Sequence, residues 1–375
     1  MQPMAQAQPT MPENGYVRYE PSVEQIAPGE QQVVQAITRS IGRTNVCTFH
    51  KLGHAIRQQH AKGHGFLKGE LTVYGDLPGH LRQGLFAAAR TYPIIVRLST
   101  ALGDIRSDRI HIPRGMAIKV IGVGGAKALA EEDKSANQDF LLVNHKAYVS
   151  NAAAYLRLQH FLRWQPMFPD FALRGGGWVA RGVKSLFDRF GKPSPLPVEL
   201  RGLDETSNNL LGETFHSMAA IRFGANIAKI RAVPTAETLR KLAGRPIDPG
   251  DHGLRDFVVE FFRDNAAEYE LCAQLCTDLR RMPVEDASIE WPEDVSAPQP
   301  IARISLPRQQ ADSPERRAYA DDVLSFNPWH CLAAHQPLGS IMRLRKQAYR
   351  TSSDFRHEKN RKPMVEPRDI SEFPD

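Results

Sequence analysis

The sequence predicts an α+β protein with an antiparallel β-barrel or sheet at its core and helices around it. Two observations lead to this fold class. Short β-branched or alternating segments, bounded by glycine or proline, follow one another at hairpin-like distances. Helical segments are inserted in blocks and do not alternate singly with strands, which disfavours a doubly wound parallel sheet. With 42% hydrophobic and 24% charged residues, the chain of 375 residues can build a large core.

The individual elements follow from the local patterns. Residues 1–30 are rich in Gln and Pro and predict a flexible arm, followed by a single domain over 31–375. Apolar residues at helical spacing predict a first helix over 31–43. The predicted strands cover 66–74, 92–98, 116–121, 215–223, 257–261, 287–291 and 301–306. The later predicted helices cover 152–163, 177–190, 235–243, 266–281 and 339–349.

Charge and apolar patterns exclude several classes of protein. The 48 basic and 42 acidic residues are spread along the chain, so nucleic-acid binding is not indicated. Apolar runs stay shorter than the roughly 18 residues of a membrane-spanning helix, and we expect no stable membrane insertion. The first residues lack the basic and apolar regions of a secretory signal, and four cysteines are too few for a disulfide scaffold. A cytoplasmic location is therefore expected.

One basic and partly amphipathic segment stands out at 174–189 (RGGGWVARGVKSLFDR). A solvated helix face is the preferred interpretation, because charged residues on a helix normally face water. Contact with a membrane or an acidic lipid is the alternative.

Four histidines follow one another at helical and near-helical spacing. Pairs separated by four residues suit zinc on one helix face. However, neither pair encloses the glutamate of a zinc-protease motif, and two glycines interrupt the helix. Taken alone, the cluster therefore indicates solvated or packed histidines. Its members are His50, His54, His60 and His64.

Near the C-terminus, Arg345 precedes Tyr349 by one helical turn, so the two side chains meet on one face. A phenol is a poor metal ligand until it loses its proton. A guanidinium against its oxygen stabilises the phenolate by charge and hydrogen bonding. Such a pair is common on protein surfaces, and its meaning depends on the rest of the chain.

Other segments give this pair a specific context. They are 57–65 (RQQHAKGHG), 96–100 (VRLST) with 113–119 (PRGMAIK), and 137–139 (NQD) followed by Asn144. Together with RKQAY at 345–349, their order and approximate spacing over about residues 45–357 resemble the haem catalase superfamily. The segment 326–357 is more similar to the short catalase-related peroxidases and allene-oxide-synthase-like relatives than to the large classical catalases.

The resemblance implies a catalase-like haem fold, with haem b held between the barrel and the helix that carries Tyr349. The Tyr349 phenolate would be the fifth ligand of the haem iron, and therefore the metal ligand, with Arg345 stabilising its charge. Arg57, Arg97 and Arg356 match the family's propionate-binding arginines. Buried carboxylates need such cationic partners.

The same resemblance implies three catalytic residues on the other haem face. His60 would take a proton from one oxygen of the peroxide and return it to the leaving oxygen. Ser99 would hydrogen-bond the other ring nitrogen and so set the tautomer. Asn144 would orient the peroxide through its amide.

The chain departs from the family pattern at several of these positions. A strict gapless register puts Val143, not Asn144, at the place of the catalytic asparagine. Gln59 stands where classical catalases carry a small apolar residue, a neighbour linked in this superfamily to the balance between catalase and other hydroperoxide chemistry. The family's aromatic residue over the haem falls at Tyr155 or Leu156, and the sequence does not choose between them.

The resemblance implies a haem-dependent, catalase-related peroxidase, an oxidoreductase that decomposes hydrogen peroxide or organic hydroperoxides through a ferryl intermediate. Disproportionation of the catalase type is expected to be weak. The partners would be the peroxide, an unknown small-molecule electron donor and further copies of the chain in a homo-oligomer. Two alternatives stay open: a fatty-acid hydroperoxide isomerase or lyase, which needs a broad apolar channel, and a haem-binding protein without turnover.

Overall fold

A closed antiparallel β-barrel forms the centre of the protein. The computed structural model describes residues 15–130, 135–147, 149–162, 167–190, 209–245, 247 and 250–375. The strands found there are β1 (Gly63–Val73), β2 (Thr91–Thr100), β3 (Arg114–Ile121), β4 (Asn137–Val143), β5 (Phe215–His216), β6 (Ile221–Phe223), β7 (Asn226–Pro234), β8 (Ala267–Leu275) and β9 (Gln299–Leu306).

All neighbouring strands are antiparallel, and the strand order is β5-β4-β3-β2-β1-β9-β8-β7-β6. The barrel closes because β5 also pairs with β7, where His216 lies opposite Arg231. The closed circuit has eight strands, and β6 forms a hairpin with β7. Closure leaves the circuit without a free sheet edge. The predicted α+β class with an antiparallel barrel is confirmed.

Strand β2 is buried on both faces over most of its length, which explains its nearly continuous apolar sequence. In β2, the residues from Ile94 to Thr100 are all buried. Ile94, Val96 and Leu98 lie in the main core with residues of β3, whereas Ile95 packs in a second cluster on the other face. When both faces of a strand are buried, successive residues are apolar, and the alternation of polar and apolar residues is absent.

Helices surround this barrel. α1 packs against α2 and α7, and α5 packs against β1. Among the described residues, the predicted helices at 31–43, 152–163, 177–190 and 339–349 are present, and three of them are longer than predicted. The predicted helix at 235–243 is shorter than expected and covers Glu237–Arg240. The helices are α1 (Glu30–Leu52), α2 (Ala152–Leu162), α3 (Asp170–Arg189), α4 (Glu237–Arg240), α5 (Gly253–Asp264), α6 (Pro314–Ala318) and α7 (Ser340–Asn360).

Two predicted elements have the wrong type. The segment 266–281 contains strand β8 and not a helix, since every second residue from Ala267 to Leu275 faces the core and pairs with β7 and β9. The segment 257–261 lies within helix α5 and is not a strand. Buried residues of α5 recur every four positions, and its phenylalanines misled the strand prediction.

Two other strand predictions also need correction. The segment 215–223 is interrupted and forms the short strands β5 and β6, and 287–291 contains no strand. Strands β4 and β7 were not predicted. In β4 the polar residues Asn137, Gln138 and Asp139 are buried with hydrogen-bond partners, which conceals the strand pattern in the sequence.

Residues 15–29, the described part of the predicted arm, lie against the barrel. The backbone N–H of Val17 donates to the carbonyl of Cys276 at 2.8 Å, and Arg18 bridges Asn226. The side chains of Val17 and Val23 are buried. The rest of the predicted arm, residues 1–14, lies outside the described residues. Across the described part of the chain, no helix combines the length and apolar character needed to cross a bilayer.

Candidate functional site

A cavity of about 480 Å³ lies where the barrel meets α2, α3 and α7. This volume falls in the range of pockets that bind small molecules and cofactors. Most of the lining side chains are apolar, and a few polar groups converge among them. The polar groups include His60, Ser99, Gln59, Arg345, Tyr349 and the arginines Arg57, Arg97 and Arg356.

The segment between α1 and β1 carries His60 into this cavity. His60 has a φ of 55°, which is the left-handed region that non-glycine residues seldom adopt. Met218, which also lines the cavity, has a φ of 58°. Three non-glycine residues of the described chain have positive φ, and two of them line this cavity. Strained backbone held by its surroundings is typical of functional sites.

Two strand residues position the His60 imidazole. His60 Nδ1 and Ser99 Oγ share a hydrogen bond of 3.0 Å. Gly115 lies opposite Ser99 in the β2–β3 ladder. A Cβ atom at Gly115 would lie 2.5 Å from His60 Cε1 and 2.6 Å from Nδ1, far too close for ordinary contact. The imidazole therefore fits against β3 because residue 115 is glycine.

The surroundings keep His60 neutral. Burial is the largest cause of a His60 pKa of about 3, well below the ordinary value of 6.5. The guanidinium groups of Arg97, Arg345 and Arg57 lower this pKa further by repelling a second positive charge. At neutral pH, with Nδ1 engaged by Ser99, a neutral His60 has Nε2 for exchanging a proton with a ligand in the cavity.

The side chain of Gln59, the residue before His60, is hydrogen-bonded to helix α2. Gln59 Nε2 donates to the hydroxyl of Tyr155 at 2.5 Å, and both residues line the cavity. Leu156 is not among the lining residues. Of the two positions that the sequence left open for an aromatic residue over the haem, Tyr155 is therefore the one that faces the cavity.

Asn144 is not brought into the cavity, although its neighbours Val143 and His145 line it. Asn144 Oδ1 accepts a hydrogen bond from the backbone N–H of Arg114 at 2.8 Å. In return, the backbone N–H of Asn144 donates to the carbonyl of Arg114 at 3.0 Å. This side chain joins the end of β4 to the start of β3, and the position that a gapless register favoured, Val143, is the one that faces the cavity.

Helix α7 supplies the arginine–tyrosine pair. Arg345 Nη2 donates to Tyr349 Oη at 2.8 Å, and the guanidinium carbon lies 5.1 Å from the centre of the Tyr349 ring. Both side chains line the cavity and are half-buried. The Tyr349 hydroxyl oxygen therefore accepts a charged hydrogen bond at the wall of the cavity.

The other three predicted arginines form a cluster at the cavity with a carboxylate from outside the sequence motifs. Arg57 Nη1 lies 2.7 Å and Arg97 Nη2 3.1 Å from Asp321 Oδ1, and Arg356 donates to the Asp321 carbonyl. Asp321 belongs to a π-helical turn, Tyr319–Val323. We call Arg57, Arg97, Arg356 and Asp321 the arginine cluster. Two of its guanidinium groups pair with the Asp321 carboxylate, and the third donates to the backbone carbonyl of the same residue.

The charge excess of the arginine cluster appears in its pKa values. Burial lowers the pKa of Arg356 to about 10, with attraction from Asp321 opposing this effect and repulsion from Arg97 reinforcing it. Burial and repulsion from Arg356 and Arg97 likewise lower the pKa of Arg57. Arginine stays protonated at physiological pH even so. The lowered pKa values therefore indicate guanidinium groups that would be stabilised by a further anion.

These residues fit a haem with two carboxylates. The cavity has the appropriate size range, Tyr349 supplies an ionisable oxygen, and the arginine cluster supplies cations. In addition, the buried Nε of Arg97 has no hydrogen-bond partner among the described residues. A buried donor without a partner is costly, and an acceptor in the cavity would satisfy it.

The zinc interpretation of the four histidines finds no counterpart, as no three His, Cys, Asp or Glu side chains of the described chain are grouped to hold a metal ion. His54 pairs with Asp322 at 2.8 Å, and His64 is buried against Thr100 at 2.6 Å. Sequence reasoning missed Gly115 and Asp321. Gly115 lies within the motif PRGMAIK, but its place opposite Ser99 depends on the pairing of β2 with β3. Nothing in the local sequence distinguishes Asp321.

The fold of the chain is similar to that of several solved structures. No family model and no curated protein matches the chain. Among solved structures, a fungal catalase is 15% identical with a TM-score of 0.56, over 83% of this chain and 61% of that chain. Catalase A from Saccharomyces cerevisiae is 16% identical with a TM-score of 0.55, over 83% and 63%. A bacterial catalase is 14% identical with a TM-score of 0.54, over 95% and 67%.

The chain thus spans about three-fifths of the length of the first two of these catalases. At such identities the likeness concerns the fold and not the activity. The eight-stranded antiparallel barrel with its surrounding helices has the fold of the catalases.

Proposed function

We propose that the protein is a haem-dependent peroxidase of the short catalase-related branch, acting on hydrogen peroxide or organic hydroperoxides. One observation carries the proposal. A single cavity is lined both by the His60–Ser99 pair and by the Arg345–Tyr349 pair. The first pair suits proton transfer and the second suits an anionic metal ligand. The catalase fold supports the combination.

The chain's own residues would hold the cofactor as follows. Tyr349, polarised by Arg345, would ligate the haem iron, and Arg57, Arg97 and Arg356 would bind the haem carboxylates. When bound, haem supplies the iron that exchanges electrons with the peroxide. Apolar lining residues would exclude water from the rest of the cavity.

His60 would move the proton. With Nδ1 engaged by Ser99, His60 Nε2 accepts the proton of one peroxide oxygen and returns it to the other, which leaves as water or alcohol. The low pKa keeps the His60 imidazole neutral across the physiological range, so that Nε2 is unprotonated when Nδ1 carries the hydrogen. Gln59 and Tyr155 occupy neighbouring positions in the cavity and distinguish this site from one with a small apolar neighbour.

A second function has a specific observation in its favour. The cavity is broad and largely apolar, with Ile110, Ile112, Leu158, Leu173 and Phe168 in its lining. A fatty-acid hydroperoxide isomerase or lyase needs such a space for its substrate. Activity on a lipid hydroperoxide with an inert response to hydrogen peroxide would favour this second function.

The first experiment is an absorption spectrum of the protein produced with a haem supply, for wild type and Tyr349→Phe. We expect a Soret band that is changed or lost in the variant. A colourless wild type would overturn the proposal. Purified protein is then assayed with hydrogen peroxide, with and without a reducing co-substrate, and with a lipid hydroperoxide.

A second experiment tests His60 through its position. Gly115→Ala should displace the imidazole and reduce the peroxide rate roughly 100-fold, since misplacement by about 1 Å has effects of that size. Gly124→Ala is the matched control, because a Cβ there meets nothing within 4 Å. His60→Ala should abolish the reaction with nearly unchanged haem content. Activity that survives in His60→Ala would remove His60 from the mechanism, and haem binding without any turnover in wild type would indicate a carrier or sensor.

A further inference from the structure

Helix α3 exposes an apolar face to the surroundings. Phe171 is 76% exposed, Trp178 73%, Val179 56% and Leu186 55%. At 3.6 residues per turn these four side chains fall within about 100° of the helix circumference. Large apolar side chains concentrated in this way mark an interaction surface and not ordinary surface composition.

The same helix is basic. Its sequence, DFALRGGGWVARGVKSLFDR, contains four basic and two acidic residues. Arg174 and Arg181 fall on one side of the exposed apolar face, about 40° to 60° beyond Trp178. An apolar face with Trp, Phe and Leu beside Arg and Lys is the pattern of helices that lie in the plane of a membrane surface.

The exposed face of α3 is continuous with the mouth of the cavity. Phe168, Ala172 and Gly176 line the cavity and are also exposed to the surroundings. The start of the helix is fixed to the body through Asp170, which accepts hydrogen bonds from Arg106 Nη1 at 2.8 Å and from the backbone N–H of Ser107 at 3.1 Å. A surface on which α3 rests would therefore lie next to the opening.

We propose that α3 is an interfacial helix that docks the protein on an anionic lipid bilayer, with the mouth of the cavity at the membrane surface. Phe171, Trp178 and Leu186 would enter the boundary between headgroups and acyl chains, and Arg174 and Arg181 would contact lipid phosphates. A second copy of the chain fits the exposed face of α3 less well than a lipid bilayer does. An antiparallel two-fold contact through this face would place the basic side of one helix beside that of the other.

Vesicle flotation tests the docking, and it needs neither haem nor turnover, so its result is independent of the proposed peroxide chemistry. The full chain is mixed with vesicles of phosphatidylcholine alone or with phosphatidylglycerol added. We expect at least tenfold tighter binding to the anionic vesicles, weakened by salt. If wild-type protein binds neither kind of vesicle, the proposal is wrong.

Two pairs of variants separate the apolar and basic contributions. Phe171→Ser with Trp178→Ser should weaken binding to anionic vesicles at least tenfold. The matched control is Ile26→Ser with Met364→Ser, since these residues are 66% and 47% exposed elsewhere on the chain. It should bind like wild type, and equal losses in both pairs would contradict the assignment to α3.

The basic pair is Arg174→Glu with Arg181→Glu, compared with Arg280→Glu with Arg308→Glu on exposed positions outside α3. We expect the first pair to lose the preference for anionic vesicles and the second to retain it. Unchanged preference in the first pair would exclude the proposed phosphate contacts.

A measurement on unmodified protein covers the case in which a variant does not fold. Brominated lipids should quench tryptophan emission on binding, because Trp178 is exposed whereas Trp291 and Trp329 are buried. Trp178→Phe should remove the part of the quenching that Trp178 contributes. The fourth tryptophan, Trp164, lies outside the described residues, so Trp164→Phe is measured for comparison. Sedimentation velocity in the absence of lipid tests the other occupant. If Phe171→Ser with Trp178→Ser dissociates an oligomer and leaves vesicle binding intact, the face is a contact between copies and the proposal is wrong.

Discussion

Two buried charge clusters of the same barrel differ in whether their members stabilise or oppose one another's charges. In the first, Lys119 Nζ lies 2.8 Å from Asp139 Oδ1 and 2.6 Å from Glu366 Oε2, and His330 Nδ1 lies 3.2 Å from Asp139 Oδ2. We call these four residues the lysine cluster. In the arginine cluster, Arg57 and Arg97 share the carboxylate of Asp321, and Arg356 donates to the backbone carbonyl of the same residue.

The pKa values express the same difference. Burial alone would lower the pKa of Lys119, but Asp139 and Glu366 raise it above its ordinary value. Burial alone would raise the pKa of Asp139, but Lys119 and His330 hold it low. Charges in the lysine cluster therefore stabilise one another, whereas burial and mutual repulsion lower the pKa of Arg57 in the arginine cluster.

The comparison separates a structural network from a binding site. Buried ion pairs that are complete within the protein hold the fold in one arrangement. The arginine cluster holds more guanidinium groups than carboxylates and lies at the cavity, so it would stabilise an anion bound there. The excess of guanidinium groups at the cavity thus favours an anionic ligand there.

The largest expected effect concerns the lysine cluster. Lys119→Met leaves Asp139 buried without its cationic partner, and we expect a loss of about 3–5 kcal/mol in the free energy of unfolding. Urea denaturation measures this loss. The control is Lys241→Met, which breaks an exposed pair with Glu237 and should cost less than about 1 kcal/mol. Similar losses in both variants would show that the lysine cluster is not a stabilising network.

Removing a cation from the arginine cluster should have a different result. Arg57→Met loses hydrogen bonds to Asp321 and to the Leu324 carbonyl but also relieves repulsion, so we expect less destabilisation than in Lys119→Met. Haem affinity should fall roughly tenfold, the value of one charge-assisted hydrogen bond. Haem titration followed by absorbance measures it. Unchanged affinity together with a large loss of stability would assign Arg57 to the fold alone.

A change at Asp321 should act in the opposite direction on binding. Asp321→Asn leaves the guanidinium groups without their anion, so affinity for the carboxylates of metal-free protoporphyrin should rise by about tenfold or less. Fluorescence titration with this probe avoids any contribution from the Tyr349–iron bond. Weaker binding by Asp321→Asn would mean that Asp321 orders the arginines and does not compete with the ligand.

Asp321→Asn also has a stability signature with a definite sign. Burial would raise the pKa of Asp321, but Arg97 and Arg57 hold it below the ordinary 3.8 in the folded protein. Its ionised form therefore contributes stability above about pH 4 that is lost as the pH falls through the folded pKa. The variant should be less stable than wild type at pH 7, and the difference should shrink in acid.

Sequence patterns predicted those parts of the molecule that depend on neighbours along the chain. The strands around VRLST and PRGMAIK and the Arg345–Tyr349 pair needed only local spacing, and the structure has them. The hydrogen bond of His60 with Ser99 was expected from the family resemblance and is present. The catalytic and haem-binding roles of these residues stay predictions.

The missed features depend on contacts between distant parts of the chain. Strand β8 contains good helix formers, and its alternation is decided by pairing with β7 and β9. Asp321 is part of the site only because three arginines from distant parts of the chain contact it. The end of β4 also depends on a distant contact. The Asn144 side chain accepts a hydrogen bond from Arg114, and Val143 lines the cavity in its place.

The smallest expected effect is the influence of the arginine cluster on His60. Because the folded pKa of His60, about 3, lies below the ordinary 6.5, its neutral form contributes stability above pH 6.5 that is lost as the pH falls towards 3. Unfolding free energies at pH 7 and pH 5 should therefore differ less for His60→Ala than for wild type.

In the haem-loaded enzyme, the rate of peroxide turnover should not change between pH 5 and pH 7. Arg57→Met, which removes one repelling cation, should move the acid limb upward by about one unit or less. An acid limb near pH 6.5 in wild type would show that the positive excess does not reach His60, and the arginine cluster would then act on the ligand carboxylates alone.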